Sequence, residues 1–150
     1  MIASNPIAAA VEGVAHGSRS RAAGTVCTIV AALFLAFDTI LKVLRLDAAV
    51  EGTTSIGYPA DTVVWIGIIE LVCLVLYLVP RTAVLGALLM TGYLGGAVAA
   101  HVRISSPLLS HTLFPVYVAL LLWGGLYLRD PRLRALMPIR TPLRRGQRAE

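Results

Sequence analysis

The chain has 150 residues, of which 57% are hydrophobic and only 14% charged, with a mean hydropathy of +0.79 and a formal net charge of +5. A soluble domain carries roughly 25% charged residues, so this composition excludes a water-covered fold of the same size. Seven of the thirteen basic residues lie in the tail from Arg129 to Glu150, beside a hydrophobic body; that arrangement fits membrane topology and anionic lipid and argues against a nucleic-acid partner.

Residues 1–21 hold Glu12, His16, Arg19 and Arg21 and no long apolar core, so they read as a flexible cytoplasmic segment rather than a cleavable signal. Four apolar runs follow, over residues 22–46, 61–79, 82–102 and 111–128. Each has roughly the 17–25 residues that a helix needs to cross a bilayer. None alternates polar and apolar residues, which excludes a β-barrel. The expected fold is therefore an all-α integral membrane four-helix bundle, followed by a basic cytoplasmic tail over residues 129–150.

The punctuation agrees with these spans. Gly57-Tyr58-Pro59 and Ser105-Ser106-Pro107 mark loops, and Pro80-Arg81 forces a tight antiparallel hairpin between spans two and three. Pro115 lies near the start of span four, where a missing N–H is tolerated. With both termini cytoplasmic, that side holds Arg19, Arg21, Arg81 and the tail arginines, and the other side only Arg45 and Arg103. This places the protein in the inner (plasma) membrane. Trp65 and Tyr58 fall near the outer interface, and Trp123, Tyr127 and Tyr77 near the inner one.

Small residues mark the expected packing surfaces. Span three carries Gly86, Gly92 and Gly96, and Ala100 continues the small-xxx-small ridge. The ridge packs either inside the bundle or along a homodimer seam. Gly124-Gly125 makes span four thin, with room for a bulky neighbour such as Phe34 or Phe37.

The ionisable residues within the spans gather in the outer half. Asp38 and Lys42 share one face of span one at i, i+4 spacing and are expected to pair. Glu70 falls near the midplane of span two, with Tyr93 at similar depth and His101 at the outer end of span three. An acid in hydrocarbon without a cation is expected to be protonated, with Tyr93 or Thr91 as a hydrogen-bond partner. Two readings stand for these groups: a structural ion pair and satisfied core acid, or a polar pocket open to the outside. His101 and His111 lack a third ligand, so no metal site is expected. Cys27 and Cys73 lie in apolar runs with no CxxC spacing, and no soluble-enzyme motif is present, so no catalytic residue is assigned.

Several stretches are similar to a known family. Gly67-Ile68-Ile69-Glu70-Leu71, Tyr77-Leu78-Val79-Pro80-Arg81-Thr82 and the run from Gly86 to Ala97 resemble the DoxX-like branch of the DoxX family. His101-Val102-Arg103, Leu113-Phe114-Pro115 and Tyr127-Leu128-Arg129-Asp130-Pro131 extend the resemblance, which covers residues 22–137. It implies a small four-helix bacterial membrane protein with an acid typical at the Glu70 position and no agreed catalytic set. Some relatives are linked to quinone oxidoreductases and redox-stress complexes, which implies a possible quinone ligand or a membrane redox partner. The expected function is a non-enzymatic subunit or a binding protein for a small lipophile, quinone-like in kind. Glu70 and Tyr93 would supply its hydrogen bonds, and Asp38 and Lys42 would gate or orient it. The alternatives are a membrane subunit of a quinone-linked oxidoreductase and a small proton-coupled transporter.

Overall fold

The computed structural model describes residues 6–136, with side chains described from Arg19 onward; the basic residues beyond that range lie outside it. Its helices are α1 (Pro6–Val43), α2 (Asp47–Ser55), α3 (Val63–Leu78), α4 (Ala83–Arg103), α5 (Phe114–Arg129) and α6 (Pro131–Leu136). Four stretches are long and apolar enough to cross a membrane: Arg19–Val43, Ala60–Leu78, Ala83–Arg103 and Leu108–Arg129. The protein is an all-α, multi-pass membrane bundle. Its exposed shell is Leu, Val, Ile and Phe, with Leu33, Phe37, Leu88 and Leu120 each more than half exposed. Such a surface is stable only against lipid.

Regular helix begins well before the expected first span, since α1 starts at Pro6 in an alanine-rich stretch of high helix propensity. At its other end α1 stops at Val43 rather than Leu46. There the Arg45 N–H bonds Lys42 O and the Leu46 N–H bonds Leu41 O, with Arg45 in the left-handed region at φ 53°. This is a Schellman cap. The same pattern closes α2 at Gly57 and α4 at Ser105. The chain after Leu46, expected as loop, instead forms α2, which roofs this end of the bundle. Arg103 at the end of α4 clasps it by donating to Ile56 O at 2.7 Å.

Both ends of the spanning bundle lie together, because the Ser20 hydroxyl donates to Leu128 O at 3.3 Å. The Pro80-Arg81 turn is at this terminal end as well, whereas α2 and the segment before α5 close the other, loop end. The terminal half is packed solid. Leu74, Tyr77, Met90, Leu122 and Leu126 are all nearly or fully buried there. Tyr77 lies near the terminal end of its span as expected, but it is wholly enclosed rather than turned to the interface. Its hydroxyl donates to Leu122 O at 3.0 Å and lies 3.3 Å from Thr28 Oγ1, joining α3 to α5 and α1. The buried O–H needs such partners to offset its desolvation.

Glycines set two helix contacts. A Cβ on Gly86 would stand 2.5 Å from Tyr77 Cα, so only glycine allows the α3–α4 hairpin to close. Gly125 receives Gly24 and Thr28 of α1, not Phe34 or Phe37: an added Cβ would meet Thr28 Oγ1 at 2.6 Å and Gly24 O at 3.0 Å. Two backbones this close leave no room for an aromatic ring. Phe34 packs edge-on against Phe114 instead, with ring centroids 5.2 Å apart, and Phe37 faces outward. Gly92 and Gly96 do not pack within the chain, since a Cβ on either would meet nothing within 4 Å. Within the chain the GxxxG spacing opens space rather than closing a contact, while Ala100, one turn further on, is buried.

This distinction is testable by unfolding in detergent. Gly86→Ala is expected to destabilise the fold by about 1–3 kcal/mol through forced backbone displacement. Gly92→Ala should be neutral or stabilising by up to about 1 kcal/mol, from helix propensity. Equal effects of the two would mean that the hairpin contact does not govern packing.

Candidate functional site

The helices place four polar side chains together inside the loop half of the bundle. Lys42 lies on the last turn of α1, and Cα–Cβ bonds tilt toward a helix N-terminus, so its long side chain runs back into the bundle. Asp38 is one turn below it on the same face. Glu70 projects from α3 about two turns inside that helix's loop end, and Tyr93 from the middle of α4. Gly67 allows the approach of α3, because a Cβ there would collide with Lys42 Cβ at 2.7 Å.

The Lys42 ammonium is the hub. Its Nζ donates to Asp38 Oδ2 at 2.5 Å, to Glu70 Oε2 at 2.9 Å and to the Tyr93 hydroxyl oxygen at 2.8 Å. Tyr93 in turn donates its proton to Glu70 Oε2 at 2.8 Å. Glu70 is wholly buried, Lys42 is 16% exposed at its side chain and Asp38 34%. The expected Asp38–Lys42 pair is present, but it is one arm of a network that spans three helices. The expectation of a neutral Glu70 assumed no cation at its depth, and Lys42 removes that premise. Thr91 takes no part: it donates to Ala87 O and accepts from the Trp123 indole at 2.9 Å.

Above this cluster lies a cavity of about 730 Å³. Asp38, Lys42, Glu70 and Tyr93 form its polar floor, and Phe34, Ile66, Ile69, Leu94, Phe114 and Val118 its apolar walls. Gly92 and Gly96 thin the α4 wall, which is why they close no helix contact within the chain. The roof is α2, through Ala48, Ala49, Gly52 and Thr53, with Tyr58 beside it. Sequence reasoning placed no element there because a nine-residue stretch with weak apolar pattern reads as loop.

His101 and His111 reach the cavity edge with ring centroids 6.0 Å apart. His101 Nδ1 lies 3.1 Å from Ser106 Oγ, and His111 Nδ1 lies 2.8 Å from Ser110 Oγ. His111 is carried on the wide π-turn Leu108–Thr112, which brings its side chain beside His101. Among the described residues no group of three or more His, Cys, Asp or Glu is placed to hold a metal ion.

The network is also structural. Breaking a buried ion pair by removing one partner leaves the other uncompensated at a cost of about 3–5 kcal/mol. Lys42→Met should therefore destabilise the bundle by about that amount in detergent unfolding. Replacing Glu70 by Leu in the same chain should recover more than half of the loss, because the stranded carboxylate is gone. A Lys42→Met protein as stable as the parent would show that the three-helix network carries no stability.

No curated protein and no solved structure matches the chain. The pattern of the DoxX-like family matches residues 26–125, a stretch that runs from the first turns of the first span to the last turns of the fourth and holds every residue of the cavity floor. The chain belongs to the DoxX-like family.

Proposed function

We propose that the protein binds a small lipophilic molecule in the cavity above Glu70, with the ligand's polar head on the floor and its apolar body between α1, α3, α4 and α5. The observation that carries this reading is the combination of an apolar chamber of about 730 Å³ with a convergent polar floor. Ligand sites have this size and this division between shaping walls and a few orienting polar groups. Ring-bearing lipophiles, the hydroxyl-bearing reduced form of a quinone among them, fit the chemistry of the walls, to which Phe34 and Phe114 contribute aromatic rings.

The reading is of a binding protein or a non-enzymatic subunit rather than a transporter. A transported solute needs a path to the other side. Below the cluster the path is filled by Tyr77, Leu122 and Met90, and Tyr77 is bonded across three helices. On the charge distribution, the terminal end faces the cytoplasm of a bacterial-type inner membrane and the cavity opens on the outer side, beneath α2. Reporter fusions check this orientation: a C-terminal fusion is expected to report a cytoplasmic location, and an outer-side signal would invert the arrangement.

Gly96 provides a test that leaves the polar network intact. Its α-carbon borders the cavity with open space beyond, so Gly96→Leu should fill the chamber without disturbing the packing. Protein purified from its own membrane is expected to release a lipophile into organic solvent in near-equimolar amount. The Gly96→Leu protein, with an unchanged melting temperature, should release less than about a tenth as much. Equal recovery from both would place the lipophile outside this cavity.

A further inference from the structure

The hydrogen-bonding capacity of the cavity floor is used unevenly. An ammonium has three N–H bonds, and those of Lys42 are directed to Asp38 Oδ2, Glu70 Oε2 and the Tyr93 oxygen. The Tyr93 hydroxyl has one proton and directs it to Glu70 Oε2. Every donor of the cluster is therefore engaged within the protein. Glu70 Oε2 accepts two hydrogen bonds, while Oε1 of the same fully buried carboxylate accepts none. The charge count leans the same way, with two carboxylates against one ammonium.

What the floor has left to offer is acceptor capacity. A head group that only accepts, such as a carbonyl or an ether, meets no free donor at the cluster. A head group that donates is complementary to Glu70, which lines the cavity and carries an acceptor with no partner in the protein. A second cation would stand against the Lys42 ammonium that already shares this carboxylate, so a neutral donor fits better. The aromatic wall of Phe34 and Phe114 suits a flat ring.

We infer that the ligand's head is an aromatic hydroxyl that donates its proton to Glu70 Oε1, and that the site discriminates against the same ring when its O–H is absent. This rests on the lipophile-binding reading above and adds the chemistry of the head group. Discrimination follows because a ring without the hydroxyl leaves a buried carboxylate oxygen unpartnered, whereas the hydroxyl satisfies it.

The test compares para-nonylphenol with its methyl ether, which keeps ring and tail and removes the donor. Binding to the full chain in lipid nanodiscs is measured against empty nanodiscs. The phenol is expected to bind at least about tenfold more tightly than the ether. Glu70→Gln converts the free acceptor into an amide N–H donor, and the preference should fall to about parity or reverse. Tyr93→Phe releases one Lys42 N–H toward the cavity and should narrow the preference as well, which provides a second variant should Glu70→Gln fail to fold. Equal affinities for phenol and ether in the parent chain, or a preference unchanged in either variant, would overturn the inference while leaving the cavity as a binding site. Binding of neither compound above empty nanodiscs would overturn the inference and the lipophile-binding reading with it.

Discussion

A carboxylate at bilayer depth has to be compensated inside the protein, because lipid supplies neither water nor counterion. Glu70 meets that requirement through one ammonium and one phenol drawn from two other helices. The rest of the loop half is arranged around this need. Lys42 must lie on the last turn of α1 so that its stem can run inward, Gly67 must be bare so that α3 can come alongside, and Tyr93 must face the same point from α4. The pairing thereby sets the relative rotation and height of three helices, a kind of specificity that nondirectional apolar packing does not provide.

The fourth spanning helix is held by different physics. α5 has no residue in the ionic network and contacts α1 through Gly24, Thr28 and Gly125, where the backbones nearly touch. Without a hydrophobic driving force between helices in lipid, such close approach gains dispersion contacts that bulkier side chains would forbid. Tyr77 completes this half by bonding a backbone carbonyl of α5. The bundle thus divides along its length into a solid terminal half and a loop half whose helices stand apart around a chamber. The polar cluster bounds this chamber below and the α2 roof above, and the bare Gly92 and Gly96 enlarge it on the α4 side.

The chamber and the cluster are two consequences of one arrangement. Side chains that compensate each other cannot also fill the space above them, and the large apolar residues of the loop half, Phe34 and Phe114 among them, line its walls rather than fill it. The stretch matched by the DoxX-like family pattern, residues 26–125, contains the whole of this region.

The spans were legible in the sequence because apolar length against bilayer thickness is a one-dimensional constraint, and the observed boundaries differ by only a few residues. Asp38 and Lys42 were legible as a pair because helical periodicity alone puts them on one face. Glu70 and Tyr93 were legible as candidates at similar depth, since depth follows from counting residues along a helix. Which way a helix turns its faces is a separate matter. That Lys42 also reaches Glu70, that Gly92 and Gly96 border space while Gly86 and Gly125 close contacts, that Tyr77 is enclosed, and that residues 47–55 fold as a roof all depend on the rotation and separation of neighbouring helices. The sequence by itself determined the solvent, the number of crossings and the depth of each polar group. The partners of those groups, and the chamber they enclose, were decided only by the tertiary structure, because pairing between helices is a property of their relative orientation and not of either helix alone.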